Sequence, residues 1–359
     1  MKRRDFIKGI GAGGVASGSL LTSQSALANK AIKWKMVTSW PKNFPGLGSG
    51  ANFLAKTINS MSGGRLKVKV YGSNELVPAL EVFDAVSRGT AQMGHSGAYY
   101  WKGKHPATQF FTAVPFGFTA QEMNAWLYYG GGMQLWEELY DKFNLIPNAA
   151  GNTGVQMGGW FNKEINSIDD LKGLKMRLPG MGGEVLKMAG GTPVTLPGGE
   201  IYTSMQSGAI DATEWVGPYN DMAFGFYKVA KFYYHPGWHE PGSTMEAMIN
   251  KDAFNALPED LQHIVRAACR VANQDMLADY TAKNNAALQT LKNKHKVNIR
   301  VFPDDVIKTL HKLSDEVVAK VGEHDEISAR IYKSFSDFRQ NVVQWSQVSE
   351  GDYLRARSL

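Results

Sequence analysis

The sequence lacks the motifs that mark the common classes of enzyme. In its 359 residues there is no Gly-x-Ser-x-Gly, no His-Glu-x-x-His, no phosphate-binding P-loop and no Cys-x-x-Cys. It has a single cysteine, Cys269, which lies in a helical pattern and cannot form a disulfide within the chain. The cysteine content therefore neither supports nor excludes export, and no familiar catalytic centre is indicated.

Long apolar runs are also missing: beyond the first residues, no stretch approaches the 18 apolar residues of a membrane-spanning helix. Residues 1–28 begin with charges, continue with small apolar residues and are typical of a secretory signal peptide cleaved after Ala28. The paired Arg3 and Arg4, followed by an apolar pair and a lysine, favour the twin-arginine export route. A membrane anchor is the alternative, but five glycines among residues 9–18 suit a bilayer span poorly. We therefore expect a soluble, exported protein.

A strong excess of one charge is absent as well. The formal net charge is +6, and four basic residues against one acidic residue in 1–28 account for about half of it. The remaining positive residues are scattered along the chain, so no basic stripe for nucleic acid is expected. The roughly 331 residues that follow the predicted cleavage site are enough for two lobes with separate cores.

Strand and helix patterns alternate along the first part of the mature chain. Alternating polarity predicts strands at 31–39 and 65–71, and helical spacing predicts helices near 51–60 and 76–88. This β-α-β-α order is the signature of a parallel sheet.

A helix–glycine–strand unit occurs twice in the sequence. In 83–93 and again in 202–212, a helical stretch ends at a glycine suited to the left-handed conformation, and a strand follows. The match either arose by chance or indicates two related α/β lobes that present strand ends to a shared cleft. The glycine-punctuated strand at 144–160 suits a hinge between such lobes, and a second crossing is expected at 238–248.

These patterns predict an α/β protein with two lobes, mixed sheets, hinge strands and long C-terminal helices. Lobe I is assigned to residues 29–152 with part of 240–257, and lobe II to 153–239. Residues 258–359 are assigned to long bracing or dimerisation helices.

The first of the C-terminal helices is predicted to be unusually long. Pro258 and the two acidic residues after it are helix-start signals, and the helical pattern continues to about Lys294. Such a helix is about 55 Å long, which exceeds the size of one lobe. It must therefore brace both lobes or reach another subunit. Two further helices are predicted at 306–321 and 327–348.

Arg177 lies near the end of a short strand predicted within 171–180. A turn at Gly173 precedes the strand and Pro179-Gly180 ends it, so strand alternation places Lys175 and Arg177 on one face. Ligand groups in α/β sheets lie at such strand ends, and a planar guanidinium can hold a carboxylate through two parallel hydrogen bonds. A solvated charge at the strand end is the alternative.

Other polar side chains occur among aromatic residues near predicted strand ends. A carboxylate such as Glu214 at a buried strand end needs a partner or a metal ion. One arginine, two glutamates and a glutamine could hold a carboxylate together with a hard cation, and such oxygen ligands suit Ca²⁺ or a monovalent ion rather than zinc. Alternatively, Glu214 pairs structurally with a lysine or arginine, and the aromatic residues are ordinary core. The residues are Gln156, Arg177, Glu214, Asn220 and Glu240, with Tyr100, Trp215 and Trp238.

His235 and His239 have the spacing of a helical zinc-binding pair. Pro236 and Gly237 lie between them and argue against a helix at this point. A zinc site of the helical type is therefore not expected here.

Taken together, these residues resemble a known family, the extracytoplasmic solute receptors of TRAP transporters. The resemblance rests on the run Leu171–Gly180, the turn at Gly208–Ala212, the twin-arginine leader and the helix that opens at Pro258, and it extends over residues 31–350. It is closest to the branch that binds 2-oxo and 2-hydroxy acids, such as pyruvate or lactate, with a bridging metal ion. The resemblance implies a periplasmic flytrap whose two lobes close on an organic anion and which delivers that anion to a membrane permease.

The resemblance also implies roles for individual residues. Arg177 would hold the ligand carboxylate. The other residues of the ligand site would be Gln156, Tyr100, Asn220 and Trp215. A cation, Na⁺ or Ca²⁺, would be held by Gln156, Glu214, Trp215 and Glu240. Sialic-acid receptors of the same family usually lack the Glu214-Trp215 pair, so the pair favours a small oxo or hydroxy acid. A homodimer in which the long helix is exchanged between subunits would fit the length of that helix.

Two other classes of function stay open at this point. An exported metal-dependent enzyme acting on organic acids would need an acid–base pair beyond the anion and cation ligands, and the sequence offers no good candidate. An adhesion protein or structural dimer would leave Arg177 exposed and the cleft unformed.

Overall fold

A computed structural model of the protein describes residues 31–359, so the signal peptide predicted for residues 1–28 lies outside the described range. The strands are β1 (Ile32–Thr38), β2 (Leu66–Tyr71), β3 (Met93–Ser96), β4 (Leu145–Asn152), β5 (Gly159–Phe161), β6 (Lys175–Arg177), β7 (Thr192–Val194), β8 (Ala212–Thr213), β9 (Phe232–His235), β10 (Thr244–Asn250) and β11 (Asn298–Val301). The helices are α1 (Leu47–Met61), α2 (Val82–Ser87), α3 (Ala120–Tyr129), α4 (Gly132–Asp141), α5 (Gly180–Met188), α6 (Gly198–Gln206), α7 (Pro218–Phe224), α8 (Lys251–Asn255), α9 (Glu259–Asn293), α10 (Asp304–Gly322), α11 (Glu326–Ser346) and α12 (Asp352–Ala356).

The first sheet has the strand order β2-β1-β3-β10-β4. β1 runs parallel to β2 and to β3, which confirms the parallel pairing predicted from the β-α-β-α order. Lys33 and Lys35 of β1 face solvent, whereas Trp34 and Met36 are buried in a cluster with Leu54 of α1. β10 returns antiparallel between β3 and β4, so the sheet is mixed, as predicted.

The second sheet has the strand order β11-β9-β5-β8-β6-β7 and is also mixed. β6 runs parallel to β7 and β8, whereas β5 runs antiparallel to β8 and β9. β11 pairs with β9, although it lies within 258–359, the range that the sequence assigned to helices. Four residues between two long helical patterns are too short to give a distinct strand signal.

Two short segments cross between the sheets side by side. Residues 153–158 lead from β4 to β5, and residues 236–243 lead from β9 back to β10. They are hydrogen-bonded to each other, since the amide of Thr153 donates to the carbonyl of Ser243 at 3.1 Å. The two lobes are therefore joined by paired crossings, as the sequence predicted for the hinge.

Two predicted elements are shorter in the structure. The strand predicted at 144–160 is interrupted at 153–158, because the chain leaves the first sheet after β4 and Gly154 turns with φ at 67°. The helix predicted at 76–88 begins only at Val82, after a single 3₁₀ turn that follows Pro78.

α9 forms a third link between the lobes. It has 35 residues and is therefore about 52 Å long. Val265 and Ala272 pack into the cluster under the first sheet, whereas Tyr280 and Leu291 pack with Trp160 of the second sheet. The sequence predicted that this helix either braces both lobes or reaches another subunit. Within one chain, α9 contacts both lobes and braces them. Among residues 31–359, no helix combines the length and the apolar composition that a membrane crossing requires.

Glu246 of β10 is a buried carboxylate inside the first lobe, away from the cleft. Its side chain is fully buried and accepts hydrogen bonds from the indole N–H of Trp101 and, at 2.8 Å, from the hydroxyl of Tyr140. Burial raises the pKa of Glu246 to about 7, and the two hydrogen bonds oppose this shift. The folded protein therefore favours the protonated form relative to the unfolded chain.

This raised pKa predicts a loss of stability as pH rises. The contribution of a protonated Glu246 is fully present below about pH 4.5 and is lost as pH rises through about 7. Between pH 5 and pH 9, we expect the unfolding free energy of the wild type to fall by about 2–3 kcal/mol more than that of Glu246→Gln. The amide keeps an acceptor for Trp101 and a donor for Tyr140. Urea unfolding at both pH values measures the difference, and the exposed Glu316→Gln is the control. Equal pH dependence of stability in wild type and Glu246→Gln would refute the prediction.

Candidate functional site

The two lobes bring polar side chains together at their junction. Arg177 is the last residue of β6, and Glu214 and Trp215 follow β8, so all three come from strand ends of the second sheet. Gln156 lies on the first crossing segment and Glu240 on the second. The first lobe contributes Tyr100, from the 3₁₀ turn after β3.

Arg177 is fully buried, which excludes the solvated strand-end charge considered above. Its Nε donates to the carbonyl of Leu196 at 3.2 Å and its Nη2 donates to the hydroxyl of Tyr100 at 2.8 Å. Its Nη1 donates to the carboxylate of Glu214, and its Cζ lies 5.0 Å from the centre of the Trp215 ring. The guanidinium is thus held in place from both lobes and turned toward the cleft.

Glu214 pairs with Arg177 through one carboxylate oxygen only. The pair realises the structural alternative predicted for Glu214, but the second oxygen, Oε2, is buried and has no hydrogen-bond partner. Burial raises the pKa of Glu214 to about 7, against the lowering effect of Arg177. Burial of a carboxylate oxygen without a partner is costly, so Oε2 of Glu214 is available to bind a cation or a hydrogen-bond donor.

Gln156 and Glu240 form a second polar group beside this pair. The amide nitrogen of Gln156 donates to Glu240 at 2.9 Å and to Thr153 and Ser243 at 3.2 and 3.1 Å. These bonds leave Oε1 of Gln156 buried without a partner. Burial, and then the charge of Glu214, raise the pKa of Glu240 to about 7.

His239 lies between the two groups, a position that was not predicted from the sequence. It is buried, neither ring nitrogen has a hydrogen-bond partner, and Nε2 lies 3.6 Å from Oε2 of Glu214. Burial lowers the pKa of His239 to about 4, so the ring is neutral. Glu214, His239 and Glu240 each present one ligand atom, and these atoms lie within 4.8 Å of one another. In the sequence, the spacing of His239 from His235 suggested only a helical zinc-binding pair. In the structure, the second crossing segment places His239 beside Glu214.

The donor atoms of the site fit a hard cation. Oxygens are available from two carboxylates and from Oε1 of Gln156, and two of these atoms are buried without partners. Ca²⁺ and Na⁺ favour such oxygen ligands. A cation would also offset the repulsion between Glu214 and Glu240, which contributes to the raised pKa of Glu240. The residues predicted to hold a cation are therefore chemically suited to one.

An aromatic wall closes the cleft on the side of the first lobe. Trp40 packs edge-on against Trp215 at 6.1 Å and lies 6.4 Å from Tyr100. His95 fixes the Trp40 ring by accepting its indole N–H at 2.8 Å. A cavity of about 10 Å³ beside Trp40, Trp215 and Gln156 holds about one water molecule. Entry of an organic acid therefore requires the lobes to part.

Asn220, also predicted to contact the ligand, makes its hydrogen bonds elsewhere. Its amide nitrogen donates to the carbonyl of Pro45 at 2.9 Å, and its oxygen accepts from the hydroxyl of Tyr280 at 2.8 Å. It thus links α7 to a first-lobe loop and to α9. Trp238, the remaining aromatic residue singled out from the sequence, stacks on Phe116 and lies edge-on to His239.

Comparison with known proteins gives a consistent picture. The family described as bacterial extracellular solute-binding protein, family 7, matches residues 36–325. A monocarboxylate 2-oxoacid-binding periplasmic protein of Nostoc is 44% identical over 330 residues, which is 92% of this chain and 90% of the relative.

Two solved structures share the fold throughout. A TRAP periplasmic solute-binding protein of Pseudoalteromonas atlantica, with bound sodium and pyruvate, is 44% identical with a TM-score of 0.88, covering 91% of this chain and 99% of that one. A TRAP solute-binding protein of Bordetella bronchiseptica is described as a mixed-occupancy dimer with copurified calcium and picolinate. It is 38% identical with a TM-score of 0.89 and covers 91% of this chain and 98% of that one.

Proposed function

The chain belongs to family 7 of the bacterial extracellular solute-binding proteins, and we propose that it captures a small 2-oxo or 2-hydroxy monocarboxylate, such as pyruvate or lactate. It is a periplasmic receptor of the TRAP type, and the enzyme alternative is set aside because the family and its relatives bind solutes. The observation that carries the choice of ligand is a fully buried arginine beside buried oxygen atoms without partners. An organic anion together with a cation would satisfy both.

Arg177 is the residue that would hold the ligand carboxylate. Three of its donors face Leu196, Tyr100 and Glu214, so the guanidinium is already oriented before a ligand arrives. When the lobes part, an entering carboxylate competes with Glu214 for the Nη atoms and accepts two parallel hydrogen bonds. Tyr100, whose hydroxyl already meets Nη2, would close over the ligand from the first lobe.

Glu214, Glu240, Gln156 and the backbone of Trp215 would hold the cation. Bound there, a Na⁺ or Ca²⁺ ion supplies positive charge beside the ligand and a coordination position for the oxygen on its second carbon. Glu214 is then balanced by the cation when Arg177 turns to the ligand. In the closed form, Ca²⁺ and Arg177 together balance the three negative charges of Glu214, Glu240 and the ligand, whereas Na⁺ and Arg177 balance two of them.

The aromatic wall favours a small ligand. The centre of the Trp40 ring lies 6.1 Å from that of Trp215 and 6.4 Å from that of Tyr100, which leaves little room between the lobes. The relatives bind pyruvate and picolinate, acids in which an oxygen or nitrogen atom neighbours the carboxylate group. We infer that this chain selects acids with a coordinating atom next to the carboxylate.

Isothermal titration of the mature protein tests the proposed ligand. The protein is stripped with chelator in sodium-free buffer and titrated with pyruvate, lactate and propionate, with and without added Ca²⁺ or Na⁺. We expect the cation to strengthen binding of pyruvate and lactate but not of propionate. Binding of none of the three acids under any cation condition would overturn the proposed ligand class.

We also propose the export route and the transport partner. The paired arginines of the leader support delivery to the periplasm by the twin-arginine route. The family relationship supports docking on the membrane permease subunits of a TRAP transporter.

We propose that the mature protein is a homodimer formed through its C-terminal helices. The end of the chain exposes large apolar side chains, with Trp345, Val348 and Tyr353 each about two-thirds exposed. They follow a part of α11 whose residues Ile331 and Phe335 are buried in the first lobe. A second copy of the chain would cover this apolar end, because exposed apolar patches of this kind mark interaction surfaces.

Truncation tests the dimer. A chain that ends at Gln344 loses the exposed apolar end but keeps Ile331 and Phe335, so it should fold as a monomer. Light scattering at micromolar concentration should give twice the chain mass for the full mature protein and one chain mass for the truncated form. Tyr129→Ser, which removes an exposed aromatic residue on α3, is the control. A monomeric full-length protein would contradict this proposal. The cut is placed after Gln344 and not before Pro258, because removal of α9 would also destroy the bracing between the lobes.

A further inference from the structure

His239 is the least satisfied polar side chain at the lobe junction. It is 2% exposed, and neither Nδ1 nor Nε2 has a hydrogen-bond partner. Burying a polar ring without partners costs free energy. The Trp238 ring lies edge-on to it, and Oε2 of Glu214 lies 3.6 Å from Nε2. A ligand that binds an imidazole nitrogen would remove this cost.

The distance between His239 and Glu214 matches the separation of two ligands in a coordination shell. Two ligand atoms that each lie about 2.0–2.2 Å from a tetrahedral metal ion are separated by about 3.3–3.6 Å. Nε2 of His239 and Oε2 of Glu214 are 3.6 Å apart, and a carboxylate oxygen of Glu240 falls within 4.8 Å of both groups. Both the imidazole and the Glu214 oxygen are buried without partners, so they are free to share one ion.

We propose that His239 is a direct nitrogen ligand of the cation site. Together with Glu214 and Glu240, it would allow the site to bind a borderline divalent ion such as Zn²⁺ or Co²⁺. The inference rests on the proposed function, since it adds a ligand to the proposed cation site. Sodium and calcium favour oxygen ligands, whereas an imidazole nitrogen favours transition metals. The metal selectivity of this chain is therefore broader than its carboxylate and amide ligands imply.

Cobalt titration of the chelator-stripped mature protein tests this ligand. His105, His324 and Asp325 form a second cluster that could bind the same ion, so every protein compared carries His324→Asn. We expect one Co²⁺ per chain with visible absorption bands. His239→Asn should weaken Co²⁺ binding by at least about 10-fold, since even the loss of an outer-shell partner of a metal ligand costs about 10- to 100-fold, and it should change the spectrum. Exposed His263→Asn on α9 is the matched control.

A second measurement keeps the proposal testable if His239→Asn fails to fold. X-ray absorption at the zinc edge of the loaded His324→Asn protein should show the outer-shell scattering of one imidazole. Absence of that scattering, or equal Co²⁺ affinity and spectra with and without His239, would overturn the proposal. Loss of pyruvate binding under all cation conditions, with cobalt binding intact, would instead contradict the proposed function alone.

Discussion

Replacing Arg177 with lysine is expected to weaken pyruvate binding by about 30-fold to several thousand-fold, the range for truncating a buried charge pair. An ammonium cannot reproduce the two parallel hydrogen bonds of the guanidinium. Lysine would also lose the contacts with Leu196 and Tyr100 that orient Arg177 across the lobe junction. Isothermal titration with calcium present measures the effect.

Controls separate binding from folding in this experiment. Lysine keeps a positive charge beside Glu214, so the buried carboxylate is not left alone, and thermal unfolding of Arg177→Lys should remain cooperative. Arg300→Lys, an exposed arginine on β11 of the same sheet that pairs with Glu164, should bind like the wild type. Wild-type affinity in Arg177→Lys would remove Arg177 from the site.

The strand ends of the second sheet could be predicted from the sequence because local signals mark them. Gly173 and Pro179 bound the strand that carries Arg177, and a glycine precedes the strand that leads to Glu214. Periodicity could not show that Arg177 and Glu214 pair with each other, because β6 and β8 become neighbours only through the sheet topology. The burial of Arg177 likewise depends on Tyr100, contributed by the other lobe.

The crossing segments were the least predictable part of the site. Residues 153–158 continued a strand-like pattern, yet they leave the sheet and bring Gln156 to Glu240. His239 has no periodic context, since its place is fixed by the pairing of the two crossings. Family resemblance implied Gln156 and Glu240 as cation ligands but not His239. His239 is recognised from the structure, by its two buried nitrogens without partners and its short distance to Glu214. For Asn220 the resemblance implied a contact with the ligand, whereas its hydrogen bonds in the structure are to Pro45 and Tyr280 and join the lobes.

Glu214→Gln is expected to weaken or abolish the dependence of binding on a cation. Two carboxylates beside an organic anion place three negative charges in a closed cleft against the single positive charge of Arg177. At reduced dielectric that excess costs several kcal/mol, and the cation is the group that would offset it. The amide removes one negative charge and one strong cation ligand. Affinity for pyruvate should therefore fall by about 30-fold or more, whereas affinity for propionate, which offers no second oxygen, should change much less.

Titration of chelator-stripped and calcium-loaded protein with both acids measures this difference. Glu246→Gln is the matched control, because it makes the same change at a fully buried carboxylate outside the cleft, and it should retain the cation dependence of the wild type. If stripped wild-type protein binds pyruvate as tightly as the loaded form, no cation bridges the ligand. Glu214 would then act only as the structural partner of Arg177, and its unpartnered oxygen would need another ligand.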